Sequence, residues 1–481
     1  MGRKSASSAN RRALPESVQA AAAAALLSLV AACDAQSQGG SRADAPSGPP
    51  PAYEPGAAPA FPLRVSDDRS HLVDADGAPF LLFGDTAWSL IVQLPLADAE
   101  AYLDDRRARG FNTILVNLIE HQFADNAPLN ASGEPPFAAP GDYAAPNDAY
   151  FDHAQAVIEL ARERDMLVML TPSYIGYGGS AEGWWAEMQA AGRDDLRGYG
   201  RYLGERFGNL DNIMWVHGGD WNPPDLAPSR AIAEGLAEAG ATGLVTVHGG
   251  PYAQARDHWG GEAWLEVDNV YTYEAVAPLA LQAYATDPVM PFFLMESAYE
   301  NEHDASPTRL RTQAYHALLS GACGQVFGVN PIWTFDAPGI FDAPVSWREA
   351  LDGAGSRSMT RIRRVFDEFD WTALVPDTDD ALVTSNRGRG QNFIAAARAR
   401  DGGFALVYMP RARGVEINLG RLAGPRVQAE WRDPASDAVY EVEDLPPSAE
   451  GLHTFRPPGL NAEGAPDWLL VLEAAPEDTA P

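Results

Sequence analysis

Two short apolar stretches decide the fold of this chain: Asn212-Ile-Met-Trp-Val-His-Gly-Gly-Asp220 and Pro291-Phe-Phe-Leu-Met-Glu296. Each is a continuous apolar run, which is typical of a strand buried on both faces of a parallel sheet. Each stretch also ends in one carboxylate. They are the fourth and the seventh of eight such runs, and strands of an eight-stranded barrel converge at their C-terminal ends. We therefore expect Asp220 and Glu296 to meet at that face.

The eight runs alternate with amphipathic stretches of helical periodicity, at residues 97–109, 148–164, 194–207, 228–239 and 308–320. An open doubly wound sheet is disfavoured, because the first run leads into Gly84-Asp-Thr-Ala-Trp88 and not into a glycine-rich phosphate loop. The pattern predicts an α/β fold, a (β/α)8 TIM barrel over residues 61–375. Its strands are expected at residues 80–84, 113–118, 167–171, 213–216, 244–247, 267–272, 292–295 and 325–329.

The hydrophobic pattern of the sequence changes after about residue 376. Short alternating runs appear there, separated by clusters of Gly, Pro and Asp, which is the pattern of an all-β sandwich. We predict an accessory sandwich domain over residues 376–475. Its strands are expected at residues 393–397, 404–408, 415–419, 427–431, 440–442 and 468–472.

The amino terminus has the features of an export signal. A basic segment with Arg3, Lys4, Arg11 and Arg12 precedes an apolar stretch at residues 18–32 that is shorter than the ~20 residues needed to span a bilayer. Val30-Ala31-Ala32-Cys33 predicts a lipoprotein signal over residues 1–33 with lipid on Cys33. An ordinary signal peptide and a twin-arginine signal at Arg11-Arg12 are the alternatives. Residues 34–60, rich in Ala, Gly, Ser and Pro, predict a flexible tether.

Composition restricts the partners. Lys and Arg number 35 against 66 Asp and Glu, so the formal charge of −31 argues against nucleic acid and anionic membrane surfaces. The only cysteines are Cys33 and Cys323, and lipid on Cys33 would leave no intrachain disulfide. We expect a monomer in the bacterial cell envelope, at the periplasmic or outer-membrane face, with membrane contact only through the Cys33 lipid.

The predicted strand ends carry the side chains that a sugar pocket requires. Carboxylates, amides and imidazoles can bind hydroxyl groups, and Trp or Tyr can stack on the apolar face of a sugar ring. Phosphate chemistry would call for Lys or Arg, and metal hydrolysis for a cluster such as H-E-x-x-H; neither is present at these ends, so no metal or cofactor is expected. The candidate substrate-binding residues are Asp85, Asn117, His121, Tyr174, His217, Trp221, His248, Tyr271, Tyr273, Asn330 and Trp333.

Several candidates have structural alternatives. Asp220 could merely start the turn before the prolines that follow it, and Asp85 could cap the segment after the first strand. His217 and His248 could each be a core histidine.

Two further carboxylates, Glu120 and Glu274, are rivals for a primary catalytic role. Asp74-Ala-Asp-Gly77 resembles the start of a calcium loop, but its apolar flanks predict a hairpin turn.

Together these residues predict a retaining glycoside hydrolase, in which Glu296 is the nucleophile and Asp220 the acid/base for an O-glycosidic bond. The alternative from another class is a non-catalytic glycan-binding lipoprotein on the same scaffold. It would more naturally have lost one of the two carboxylates. A polysaccharide lyase would need a Lys, Tyr or His base and a group that neutralises a uronate, and basic residues are scarce at the strand ends.

Several short motifs stand along the chain from about residue 65 to residue 468. They are Gly84-Asp-Thr-Ala-Trp88, Tyr102-Leu-x-x-Arg106, Gly110-Phe-Asn112, Trp215-x-x-Gly-Gly-Asp220, Glu296-Ser-x-Tyr-Glu300, Arg311-x-x-x-Tyr315, Pro331-Ile-Trp333, Leu374-Val-Pro-Asp377 and Trp431-Arg-Asp-Pro434. These motifs resemble those of the apiosidase-like glycoside hydrolases, and the last resembles a motif of the family's C-terminal β-domain, which is sometimes labelled collagen-binding. The resemblance implies a retaining mechanism, an Asp acid/base after strand four, a Glu nucleophile after strand seven, and a pentofuranoside such as apiose from plant cell-wall polysaccharide as substrate. Gly219 precedes the acid/base, where the wider clan of barrels usually has Asn beside a Glu.

Overall fold

A computed structural model of the chain describes residues 53–303, 305–446 and 448–476. The export signal, Cys33 and most of the predicted tether lie outside these residues. Within them, no helix is long and apolar enough to cross a membrane. The strands are β1 (Arg64–Val65), β2 (Leu72–Val73), β3 (Pro79–Phe80), β4 (Leu82–Thr86), β5 (Thr113–Asn117), β6 (Leu167–Thr171), β7 (Ile213–Gly218), β8 (Val245–His248), β9 (Ala253–Gln254), β10 (Asp268–Tyr271), β11 (Phe292–Glu296), β12 (Gly324–Phe327), β13 (Leu374–Pro376), β14 (Ala395–Ala399), β15 (Phe404–Met409), β16 (Val415–Asn418), β17 (Arg426–Arg432), β18 (Val439–Glu441), β19 (Leu452–Phe455) and β20 (Trp468–Ala475).

Helices separate the barrel strands, as the periodicity predicts. The helix α3 begins after Asn147, whose side chain accepts a hydrogen bond from the Ala149 amide, and α9 begins after Ser306 with Pro307 in its first turn. The helices are α1 (Leu90–Gln93), α2 (Leu96–Ala108), α3 (Asp148–Arg162), α4 (Trp185–Ala191), α5 (Arg193–Phe207), α6 (Ala227–Glu238), α7 (Ala255–Trp259), α8 (Val276–Tyr284), α9 (Pro307–Leu318), α10 (Trp347–Ala350) and α11 (Ala354–Glu368).

Eight parallel strands form the barrel in the order β8-β7-β6-β5-β4-β12-β11-β10, and the short antiparallel β9 pairs with β10. The eighth strand therefore returns to the first: β12 pairs with β4. Side chains help to close the remaining seam between β8 and β10, where Thr246 Oγ1 donates to the Val267 carbonyl at 2.7 Å and Asn269 Nδ2 donates to the Val247 carbonyl. The predicted (β/α)8 barrel is confirmed.

The barrel interior is filled by alternate residues of the strands. Leu115, Met169, Met214, Phe293 and Val326 come from five strands and pack into one buried cluster. Most of their apolar neighbours along the strands pack outward against the helices. This alternation follows from the two-residue period of a β-strand, and it orients the polar residues at the strand ends.

The C-terminal strands form the predicted sandwich. One antiparallel sheet has the order β13-β14-β15-β20-β17-β18, and the pair β16-β19 lies against it over a separate apolar core. The Asp74 region forms the predicted hairpin turn between β2 and β3, because its carboxylate accepts hydrogen bonds from the amides of Asp76 and Ala78 at 3.0 and 2.8 Å.

The sandwich and the barrel share a buried polar contact. Arg311 of α9 pairs with Asp467, Nε to Oδ2 at 2.7 Å and Nη2 to Oδ1 at 3.0 Å, and both side chains are fully buried. Tyr408 also donates to Asp467 at 2.8 Å, and its ring stacks on Tyr315 of α9 with centroids 4.4 Å apart. The two domains therefore meet through an ordered interface.

Candidate active site

Backbone irregularities aim both carboxylates into the barrel mouth. Strand β11 contains a register shift: Val270 pairs with Leu294, but Tyr271 pairs with Glu296, so Met295 is the extra residue. Met295 packs into the barrel interior. Because alternation alone would point Glu296 outward, the bulge turns this side chain toward the mouth, as bulges near active sites commonly do.

The Gly-Gly pair at the end of β7 lets the backbone just before Asp220 pass close to the ring of Tyr174. Gly219 has φ +147°, and a Cβ there would lie 2.3 Å from Tyr174 Cδ2. Only glycine fits this approach. Asp220 itself has φ +26°, a conformation rarely adopted by residues with a side chain, and such strain often marks functional positions.

Hydrogen bonds link Asp220 and Glu296 from two sides. On one side the Tyr271 hydroxyl lies 2.8 Å from Asp220 Oδ1 and 3.1 Å from the Tyr273 hydroxyl, which lies 2.5 Å from Glu296 Oε1. On the other side His248 Nδ1 accepts the Asp220 amide at 2.6 Å, and its Nε2 lies 3.0 Å from Glu296 Oε2. Since Nδ1 is an acceptor, Nε2 carries the ring proton and donates a hydrogen bond to Glu296.

The phenol chain joins the two carboxyls without deciding which of them holds a proton. Tyr271 donates to Asp220 and Tyr273 donates to Glu296, and the two phenol oxygens lie 3.1 Å apart. A proton on either carboxyl would supply the third hydrogen bond of the chain.

Electrostatics favours Asp220 as the proton-holding member of the pair. Burial raises the pKa of the Asp220 carboxyl to about 6, and the charge of Glu296 contributes to this rise while His248 opposes it. A carboxyl with a raised pKa beside a second carboxylate is suited to act as a general acid.

Both carboxylates line one cavity at the barrel mouth, with a volume of about 90 Å³. Seven of its residues were predicted: Asn117, Tyr174, Asp220, His248, Tyr273, Glu296 and Trp333. Six were not: Trp88, Phe123, Tyr299, Glu302, Ile340 and Phe341. Tyr271 supports the cavity from behind through its bond to Asp220.

Asp85 and His217 lie outside the cavity. Asp85 is fully buried, accepts from the Tyr102 hydroxyl at 2.7 Å and pairs with Arg106 at 3.5 Å. Burial raises its pKa to about 6 against the opposing charge of Arg106. His217 packs edge-on to Trp264 with centroids 4.8 Å apart, and burial lowers its pKa to about 3, as the core-histidine alternative requires.

Three other candidates lie around the cavity without lining it. His121 pairs with Glu187 at 3.2 Å, and Trp221 packs edge-on to Trp185 with centroids 5.3 Å apart. Asn330 Nδ2 donates to the Asp342 carbonyl at 3.1 Å, beside the loop residues that reach the rim.

The rival carboxylates have other surroundings. Glu120 is buried and accepts from Asn117 Nδ2 and from the His121 amide, both at 3.0 Å, so it orients Asn117. Glu274 is exposed and does not line the cavity.

Glu302 is the main residue that the strand-end rule missed. It lies in the loop beyond β11 and accepts from Trp333 Nε1 at 3.0 Å. Burial raises the pKa of its carboxyl to about 7, with the charge of Glu296 adding to the rise. Tyr299 lies in the same loop, and its hydroxyl accepts a hydrogen bond from Trp88 Nε1 at 3.2 Å. Polar and aromatic residues just after Glu296 were visible in the sequence. Only the loop conformation shows that Tyr299 and Glu302 line the cavity.

The cavity carries carboxylates and no cationic side chain. Among its lining residues, Asp220, Glu296 and Glu302 are acidic, and none is Lys or Arg. Within the described parts of the chain, no group of three or more His, Cys, Asp or Glu could hold a metal ion. The surroundings therefore suit an uncharged hydroxyl-rich ligand better than a uronate or a phosphate.

A barrel with paired carboxylates at the ends of its fourth and seventh strands is the architecture of a class of glycoside hydrolases. The sequence matches the family model "Apiosidase-like, catalytic domain" over residues 66–373 and "Putative collagen-binding domain of a collagenase" over residues 375–473. The first match covers more than half of the chain, which therefore belongs to the apiosidase-like family. No curated protein matches the sequence.

Solved structures share the fold. A protein described as a glycoside hydrolase is 21% identical with a TM-score of 0.74, over 86% of this chain and 97% of that one. A family 5 glycoside hydrolase from Bacteroides vulgatus is 19% identical with a TM-score of 0.74, over 86% and 93%. Another chain from that organism, described as a "putative glycoside hydrolase", is 15% identical with a TM-score of 0.66, over 88% and 84%. At these identities the likeness concerns the fold alone.

Proposed function

We propose that the chain is a retaining glycosidase in which Glu296 is the nucleophile and Asp220 the acid/base. The observation that supports this most directly is that both carboxyls line one cavity and are joined by hydrogen bonds through Tyr271 and Tyr273. Family membership supports the same reaction class.

The proposed reaction has two steps. Glu296 attacks the anomeric carbon while Asp220 gives its proton to the leaving oxygen, which forms a glycosyl-enzyme and releases the alcohol. Asp220, now ionised, removes a proton from the incoming water, whose oxygen displaces Glu296 and gives the sugar with its original anomeric configuration. Tyr273 and His248 keep the Glu296 oxygens oriented in both steps.

The proposed substrate is a neutral pentofuranoside of the apiose type, carried on plant cell-wall polysaccharide. The absence of cations from the lining, with Trp88, Phe123 and Trp333 among the walls, supports a neutral sugar whose ring contacts aromatic surfaces. Family membership supports the apiose-like sugar. A panel of aryl pentofuranosides and pyranosides identifies the sugar by which member is hydrolysed.

Substitution of the two carboxylates tests their roles. Glu296→Gln should abolish turnover, because an amide is a poor nucleophile. Asp220→Asn should slow substrates with poor leaving groups far more than activated aryl glycosides, which need little protonation. Glu100→Gln, a surface carboxylate that pairs with Arg164, is the matched control and should keep wild-type activity. Equal losses on both substrate types would contradict Asp220 as the acid.

Product stereochemistry tests the mechanism separately. Proton NMR during the first minutes of hydrolysis should show a product with the same anomeric configuration as the substrate. A retaining mechanism also requires the Asp220 and Glu296 carboxyl groups to lie about 5–5.5 Å apart. Initial appearance of the opposite anomer would exclude the double displacement while leaving a glycosidase.

We also propose that the chain is tethered to a membrane through lipid on Cys33, with residues 34–60 as the spacer between the lipid and the barrel. The apolar segment that ends in Ala31-Ala32-Cys33 supports this processing. Cys33→Ser should move the protein out of the membrane fraction, or stall it as a precursor, without changing the specific activity. Wild-type protein found wholly in the soluble periplasmic fraction of its native host would refute the anchor.

A further inference from the structure

A second cavity lies at the other end of the barrel, where the first residues of β11 and β12 meet the sandwich. Phe292 and Cys323 line it from the barrel side, and Pro376 of β13 and Arg400 after β14 line it from the sandwich side. Its volume is about 320 Å³. We term it the basal cleft and define it by Asp68, His71, Tyr284, Thr286, Trp371 and Arg400.

Tyr284 provides a fixed aromatic surface in the basal cleft. Its ring lies directly against Gly321, where a Cβ would be 2.3 Å from Tyr284 Cδ2 and where φ is +96°. Glycine at this position therefore permits the ring to sit against the backbone. Tyr284 is nevertheless 40% exposed, an unusual state for a large ring held so closely.

Trp371 provides the second aromatic surface. It begins a short 3-10 turn that Asp370 caps, accepting from the Thr372 amide at 3.2 Å and from the Thr372 hydroxyl at 2.6 Å. The His71 ring packs edge-on to Trp371 with centroids 5.6 Å apart and an interplanar angle of 82°. The half-buried indole is thus held by a capped turn and by a ring contact, and it still lines the cleft.

Oriented polar groups of both charges accompany these rings. The Asp68 carboxylate accepts from the Ser66 hydroxyl at 2.7 Å, the Ser70 amide at 3.1 Å and the Ser70 hydroxyl at 2.8 Å. Arg400 is exposed on the sandwich side, and His71 lies within the electrostatic range of both charges. One anion and one cation give the cleft an acceptor and a donor without a strong net charge.

We infer that the basal cleft is a second, non-catalytic carbohydrate-binding site that holds a neutral stretch of polysaccharide. Pre-positioned aromatic rings can stack on the apolar face of sugar rings, and a carboxylate beside a guanidinium can bind paired hydroxyl groups. Sites of this composition favour domain junctions, and here the sandwich supplies one wall. The choice of ligand class rests on the proposed glycosidase function.

Affinity electrophoresis of the full chain tests the site. Native gels contain, one at a time, arabinan, galactan, arabinogalactan, xylan or polygalacturonate, and Glu296→Gln serves as the parent so that no polymer is cut. The parent should be retarded by at least one of the neutral polymers. Adding Tyr284→Ala or Arg400→Ala should weaken that retardation by about tenfold in apparent Kd. Leu460→Ala, 62% exposed in the sandwich and outside the cleft, is the matched control and should leave it unchanged.

Activity separates this inference from the proposed function. In the otherwise wild-type chain, Tyr284→Ala and Arg400→Ala should hydrolyse a small aryl glycoside normally, because neither residue lines the catalytic cavity. Unchanged retardation in both variants, no retardation by any neutral polymer, or retardation by polygalacturonate alone would each overturn the inference. A failure of aryl glycoside hydrolysis in the wild-type protein would instead overturn the proposed function. Matching thermal unfolding curves would show that the variants remain folded.

Discussion

Asp220 combines a strained backbone, a carboxyl with a raised pKa and a phenol chain that links it to Glu296. Its pKa of about 6, raised first by burial and then by Glu296, sets a pH limit on the proposed reaction. The acid must carry its proton, so activity is expected below this pKa and is lost as pH rises through it.

The pH profile of kcat/KM should therefore fall above about pH 6, by about tenfold per pH unit, because this parameter reports the free enzyme. With an activated aryl glycoside, Asp220→Asn should remove this alkaline limb. Tyr271→Phe should move the limb to higher pH, because the Tyr271 hydrogen bond lowers the pKa of Asp220. An identical limb in the Asp220→Asn enzyme would assign it to another group.

Glu302 should bind the sugar rather than react with it. Its carboxyl lines the cavity and is held by Trp333, so it can bind a substrate hydroxyl. With a pKa of about 7 it is largely protonated at the pH where Asp220 carries its proton, and a neutral hydrogen bond contributes about 0.5–1.5 kcal/mol. Glu302→Ala should therefore raise KM severalfold with a smaller change in kcat. A loss confined to kcat would contradict a binding role.

At the scale of elements, the strand ends determine which polar residues reach the cavity. Alternation places Leu82 of β4 and Val216 of β7 in the barrel interior. The odd-numbered neighbours Asp85 and His217 therefore point outward, toward α2 and toward Trp264. Alternation along the predicted strands alone would have assigned Asp85 and His217 to outward positions and His248 to an inward one. It would have assigned Glu296 to an outward position, which is wrong because the bulge in β11 reverses the alternation there.

The loop after β7 makes a prediction about geometry. Gly219→Ala would place a Cβ 2.3 Å from the Tyr174 ring and shift Asp220 with it. A displacement of about 1 Å at a catalytic group can cost about 100-fold in rate, so kcat/KM should fall by at least that order. Gly240→Ala is the matched control: it has φ +78° but nothing within 4 Å of the added Cβ. It should unfold somewhat more easily and keep its activity, and equal activity in both variants would contradict the steric argument.

At the scale of the whole molecule, the barrel and the sandwich are expected to unfold together. Residues of both domains, among them Tyr315 and Tyr408, belong to one apolar cluster, and the Arg311–Asp467 pair is buried between them. Removing one partner of a buried pair leaves the other charge without compensation.

Arg311→Met should therefore lower the free energy of unfolding by about 3–5 kcal/mol, measured by urea denaturation. Arg348→Met is the matched control, because Arg348 pairs with Asp98 at the surface, where such a pair contributes about 1 kcal/mol or less. A separate early transition of the sandwich in the wild-type protein would show that the interface does not couple the domains.

The sequence by itself determined the barrel, the sandwich and the two carboxylates that share the cavity, because strand and helix periodicity are local and Asp220 and Glu296 stand at the ends of unmistakable strands. The short strands β13 and β19 were not predicted, because three or four partly exposed residues show too little alternation of apolar and polar side chains. Only the tertiary structure decided that Asp85 pairs with Arg106, that Glu302 returns to the cavity, and that the basal cleft exists. Each depends on contacts between side chains from elements that are distant in sequence, and a local sequence pattern carries no information about such contacts.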